Sequence, residues 1–182
     1  GKGTVLANDT PAFIANRLGV HGLLVALELA IELGLGGDEV DELTGPLIGH
    51  PRSATFRTLD LIGIDVAVAV ADHCHEALVD DPERDRFRVP DVLRTLVERG
   101  ALGEKRGAGV YRKVDGEILA LDLVTLDYRP RRSLVSSAVQ LARNEPDLAR
   151  RLAGLLGADD TAARFVRRFV AASLGYAAAV AP

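Results

Sequence analysis

The sequence predicts a mainly α-helical protein with one β-hairpin near residues 109–123, and three observations carry that prediction. Aromatic residues make up only 4 % of the chain, with no Trp or Met, so Ala, Leu and Val must fill the interior. Ala and Leu are also the strongest helix formers. Ile14, Leu18, Val25 and Leu29, with Gly22 filling the remaining step, recur at helical rather than alternating spacing. Asp115-Gly116 separates two β-prone runs, and Asp-Gly in that setting is the strongest short hairpin signal.

Thr10-Pro11 reads as a hydroxyl N-cap with proline at the first helical position, opening a helix of over twenty residues that Gly34 and Gly36-Gly37 stop. Asp38 caps a short second helix that ends at Gly45-Pro46, and Ser53 caps a third that runs to Gly63. Asp65 opens a fourth, on which Val66, Val70, His73 and Ala77 share a face, before Asp80-Asp81-Pro82 ends it. Pro90 starts a fifth, closed by Gly100. The hairpin follows, then Arg129-Pro-Arg-Arg as a linker, then two or three Ala/Arg-rich helices from about Ser133. The last starts near Thr161 and is apolar on every side in its final turns. Such a helix wants burial, against something the rest of the chain does not obviously supply.

At 182 residues the chain holds one domain with an extension, or two small domains. A net charge of −4 disfavours nucleic acid as the main partner, because phosphate binding needs surplus cations. The single cysteine, Cys74, excludes an intrachain disulfide and suits a reducing, cytoplasmic setting. The charge-free stretch at residues 169–182 is shorter than the roughly 20 residues of a membrane-spanning helix. The opening Gly1-Lys-Gly-Thr carries no signal-peptide pattern.

Several chemical motifs fail on inspection. A dinucleotide fingerprint needs G-x-G-x-x-G between a strand and a helix. The three trials have Leu6, Glu39 or Arg112 where the third glycine belongs. His73-Cys74-His75 is not a metal site, because neighbours on a helix point about 100° apart. His21 and His50 read as isolated structural residues. Ser173 lacks the glycine that a nucleophile elbow needs before it. A winged helix, with Lys105, Arg106, Arg112 and Lys113 on a basic wing, is the rival reading, and the acidic balance opposes it.

Four blocks, in order, carry a resemblance. Asn8-Asp-Thr-Pro-Ala-Phe-Ile-Ala-Asn-Arg resembles D-T-P-G-F-I-x-N-R, the signature that opens the C-terminal domain of 3-hydroxyacyl-CoA dehydrogenases. Glu39-Val-Asp41 precedes Thr44-Gly-Pro-Leu-Ile-Gly-His-Pro, Thr58-Leu-Asp-Leu-Ile-Gly-Ile-Asp65 follows, and Leu102-Gly-Glu-Lys-Arg-Gly-Ala-Gly-Val-Tyr111 is similar to the family's closing loop. Ala12 and Val110 depart from the usual Gly and Phe.

The resemblance implies a helical bundle of the 6-phosphogluconate dehydrogenase C-terminal-like type, with this domain over 1–130. Residues 131–182 would be a linker and the first helices of a second, truncated copy, as in the long fatty-acid-oxidation members. It implies the substrate-binding and dimerisation domain of an NAD-dependent L-3-hydroxyacyl-CoA dehydrogenase of fatty acid β-oxidation, which turns 3-hydroxyacyl-CoA into 3-oxoacyl-CoA. NAD and the catalytic His-Glu pair belong to an N-terminal Rossmann domain not contained in these residues, so the segment alone would be inactive. The signature Asn falls on Asn16, as the catalytic contribution of this domain. A carboxamide is neutral, offers donor and acceptor together, and does not titrate. Phe13 is expected at the base of the cleft and Lys105 near a CoA phosphate. Arg17 is expected in a salt bridge to Glu28 or Asp60. The alternative in another class is a helical interaction module without catalysis.

Overall fold

The computed structural model describes residues 3–4 and 7–181, so the trial glycine motif at Gly1 lies partly outside them. Among these residues there are eight α-helices and one small three-stranded sheet. The first, α1 (Ala15–Leu33), is the spine, with Leu24, Val25, Ala26, Leu27, Leu29 and Ala30 all buried. Burial on nearly every side explains why its middle is apolar all round.

α1 starts later than its apparent cap. Thr10 O accepts from Phe13 N at 3.0 Å, and Ala12 and Phe13 take φ of 61° and 49°, so a turn occupies the proposed first helical positions. No side chain caps the helix at Ile14. The positive φ at Ala12 is the physical reason for a glycine in the signature, since an L-residue there crowds its own backbone.

The next caps also differ from expectation. α2 (Gly37–Thr44) is capped at Gly36, whose N–H donates to Glu39 Oε2 at 2.8 Å. Asp38 is instead fully buried and grips Arg129 at 2.9 and 3.1 Å and the Arg132 N–H at 2.5 Å. α3 (Phe56–Ile62) takes its cap from a distant residue rather than from Ser53. The Asp41 carboxylate accepts the N–H groups of Thr55, Phe56 and Arg57. α4 (Ile64–Ala77) buries Ile64, Ala67, Ala71 and Cys74, so the face of Val66 and His73 points outward. α5 (Asp91–Glu98) follows Pro90 as expected.

The hairpin forms from β1 (Tyr111–Val114) and β2 (Glu117–Leu121), with Val114 opposite Glu117. Asp115 and Gly116, at φ 49° and 88°, both sit in the left-handed region that a tight two-residue hairpin turn demands. A third antiparallel strand, β3 (Tyr128–Pro130), forms where a linker was expected, because the Asp38–Arg129 pair fixes that segment over α2.

α6 (Ser137–Asn144), α7 (Leu148–Gly157) and α8 (Thr161–Val180) complete the body. The Ser136 hydroxyl, which caps α6, bonds Asp160, which caps α8, at 2.6 Å. α8 packs one face along α1, the most extensive helix contact among the described residues, while Gly175, Ala178 and Ala179 of its apolar end stay exposed. Phe165, Phe169 and Tyr176 of α8 are buried, while Leu174 is 65 % exposed. No helix among the described residues is long and apolar enough to cross a membrane.

Candidate functional site

Asn16 is the second residue of α1, in its first turn. The turn at 10–13 leaves this end of the helix uncovered, and Asn16 is exposed. Its side chain lines a cavity of about 490 Å³ between α1, α3 and α8. Leu18, Leu23, Leu59, Ile62 and Phe169 are among its apolar lining, with His50, Thr55, Thr58 and Ser173 as polar members. That volume and that lining, apolar with a few placed polar groups, are those of a small-molecule pocket. No hydrogen bond to another described residue engages the Asn16 carboxamide.

The neighbouring residue holds α1 in place. Arg17 pairs with Asp81, and its Nε donates to the Tyr176 hydroxyl at 2.7 Å. The Tyr176 hydroxyl in turn donates to Asp81 at 2.6 Å. Burial alone would raise the Asp81 carboxyl, but the Tyr176 hydroxyl, the Glu83 N–H and Arg17 hold it below its usual value. Glu28 and Asp60 are therefore not the partners of Arg17. Glu28 lies eleven residues along the helix, about 16 Å away, and pairs with Arg86. His21, 1 % exposed, stacks on the Tyr176 ring at 3.9 Å and meets Glu83 at 3.0 Å. Burial pushes its pKa down, as befits a structural ring.

Three of the sequence blocks meet in one polar cluster, which borders a separate concavity of about 560 Å³ lined by Asp41, Asp60 and Tyr111. Asp60, 2 % exposed, accepts the N–H groups of Val110 and Tyr111, each at 2.8 Å. A Cβ on Gly109 would stand 2.1 Å from Asp60 Oδ1, and one on Gly103 would stand 2.3 Å from the Asp60 carbonyl oxygen. The glycines of the closing loop let backbone lie directly on α3. The Tyr111 hydroxyl donates to Asp41 at 2.7 Å. Despite these four donors, burial pushes the Asp41 carboxyl up to about 6.

Phe13 is 58 % exposed and is not at the base of the cavity, because the positive-φ turn swings it out of helical phase. Lys105 lines neither the cavity beside Asn16 nor its neighbours. Its ammonium bonds both oxygens of Asp65, at 2.6 and 2.8 Å, over the first turn of α4. Arg112 of the basic wing lies over the Tyr128 ring at 5.6 Å. His50, read as isolated, does line the cavity, with Nδ1 3.1 Å from the Thr44 carbonyl. His73 is exposed, Cys74 buried and His75 half-buried, so the three splay apart. A larger concavity of about 930 Å³ runs along α1 and residues 81–90, but Arg86 ties its walls together through Glu28 and Glu83. It holds no candidate residue from the sequence.

The sequence reading missed the contribution of α8, whose only signal was an apolar run without an assigned face. It also missed the long-range carboxylate anchors Asp38 and Asp41.

The model of the family described as 3-hydroxyacyl-CoA dehydrogenase, C-terminal domain, matches residues 13–113. A probable 3-hydroxyacyl-CoA dehydrogenase of Bacillus subtilis is 41 % identical over 178 residues, 98 % of this chain and 22 % of that protein. A probable 3-hydroxyacyl-CoA dehydrogenase of Deinococcus radiodurans is 44 % identical over 117 residues, 64 % of this chain and 33 % of that protein. The mitochondrial hydroxyacyl-coenzyme A dehydrogenase of Rattus norvegicus is 34 % identical over 112 residues, 62 % of this chain and 34 % of that protein. The chain thus spans between a fifth and a third of these relatives' lengths.

Proposed function

The chain belongs to the 3-hydroxyacyl-CoA dehydrogenase family through its C-terminal domain, and from that premise we propose that it is the substrate-binding part of an NAD-dependent L-3-hydroxyacyl-CoA dehydrogenase of fatty acid β-oxidation. One observation carries the reading: the signature carboxamide, Asn16, lines an apolar cavity of about 490 Å³.

The described residues do not fit NAD. Their one sheet is antiparallel, and no strand, glycine turn and helix follow one another as pyrophosphate binding requires. In this reading NAD and the His-Glu pair belong to residues outside these, and the segment alone is inactive. What these residues contribute is positioning. Asn16 offers a donor and an acceptor to the oxygen on C3 of the substrate and to the group that takes its proton. The cavity wall removes the acyl chain from water. Lys105 bonds Asp65 and Phe13 is exposed outside the cavity lining; in this reading Phe13 faces the preceding domain.

Residues after 113 lie outside the domain model yet continue in the long Bacillus relative. In this reading the helices after residue 130 begin a second copy, and the protein is cytoplasmic and pairs through this domain.

The test is NADH formation from 3-hydroxybutyryl-CoA by the full-length protein. Turnover supports the assignment. Binding of a partner protein without turnover of any 3-hydroxyacyl-CoA would replace it with the interaction-module reading.

A further inference from the structure

The segment that matches the domain model does not finish the cavity beside Asn16. Its far wall comes from α8, beyond residue 113, through Phe169 and Ser173. Phe169 is 5 % exposed and stacks on Phe165 at 5.9 Å, so its ring is a fixed stop rather than a mobile flap. Ser173 stands across from Gly22 of α1, where an added Cβ would come 3.9 Å from its Oγ. That Oγ is shielded from solvent and has no hydrogen-bond partner among the described residues. A methyl at position 22 would thus sit in ordinary van der Waals contact with Ser173, so the small residues at these two positions set how closely the helices approach at this end of the cavity.

We propose that α8 gauges the acyl chain: with C3 of the substrate at Asn16, the tail runs along Leu23 and Ile62 and ends against Ser173 and Phe169. This inference rests on the dehydrogenase reading and adds its substrate class, acyl-CoA thioesters longer than four carbons. A four-carbon chain leaves most of the apolar wall unused. Each further methylene buried on that wall gains roughly fourfold in affinity. Residues outside the family's domain model then set the longest chain accepted.

The experiment uses the full-length protein and 3-hydroxyacyl-CoA substrates of four, eight, twelve and sixteen carbons. Ser173→Leu fills the end of the cavity. Gly22→Ala fills it less and favours folding, because alanine suits a helix interior better than glycine. In Ser173→Leu the ratio of kcat/KM for sixteen carbons to that for four should fall about tenfold or more. In Gly22→Ala it should fall by a smaller factor in the same direction. Far-UV circular dichroism checks folding in both. A folded variant that keeps the wild-type ratio, or loses all lengths in parallel, overturns the gauge while leaving the dehydrogenase reading intact. A wild-type protein that turns over no chain length overturns that reading and the gauge with it.

Discussion

Arg17 Nε donates to the Tyr176 hydroxyl at 2.7 Å, joining the first turn of α1 to the last turns of α8 across 159 positions of sequence. Asp81, its side chain fully buried, completes the triangle, and the His21 ring lies flat against Tyr176. The residue after Asn16 is therefore the one that fixes the end of the helix on which Asn16 stands.

Tyr176→Phe keeps the ring and deletes the hydroxyl, leaving Arg17 Nε without its acceptor and Asp81 without a donor. The expected cost is about 1–3 kcal/mol. It should appear as a lower urea midpoint with an unchanged m-value. An unchanged midpoint would mean the triangle adds nothing.

Glycine substitutions in the closing loop should separate by their surroundings. Gly109→Ala drives a methyl into Asp60 and into the Gly103 backbone, 2.7 Å away, and should cost about 2 kcal/mol or more. Gly107→Ala meets nothing within 4 Å and should cost only the left-handed backbone penalty of about 1 kcal/mol. Thermal melting of both variants checks the order, and equal losses would contradict the packing argument.

The Asp41 carboxyl, pushed up to about 6, gives a pH dependence of unusual sign. Between its ordinary value of 3.8 and about 6 the folded protein keeps a proton that the unfolded chain has released. This group's contribution to stability therefore falls as pH rises through that window. Asp38 and Asp81, held below their usual values, contribute stability that is lost as pH falls through the acid range. Asp41→Asn removes one titration, so the stability difference between wild type and variant should shrink from pH 4 to pH 6, by on the order of 2–3 kcal/mol. A difference that stays flat across that range would refute it.

Local signals fixed much of the fold. Asp115-Gly116 placed the hairpin turn, Pro90 and Gly100 bounded α5, and the ordered motif blocks led to Asn16. What the sequence hid was long-range. Nothing in Asp38 announces a partner at Arg129, 91 positions on, so β3 read as a linker. Nothing in Asp41 announces that it caps α3, so Ser53 looked the better candidate. The start of α1 was misplaced because Thr10-Pro11 satisfies every local rule for a cap, while the positive φ at Ala12 and Phe13 overrules it. The cavity was legible only at its Asn16 end, since α8 carries no motif and acts through shape.

The direct test of the central claim is the turnover of Asn16→Ala in the full-length protein with NAD and a 3-hydroxyacyl-CoA. The residue is exposed and bonds no other described residue, so folding and melting temperature should be those of wild type while kcat falls at least about tenfold. A folded variant with wild-type kcat would contradict a role for this carboxamide in the reaction.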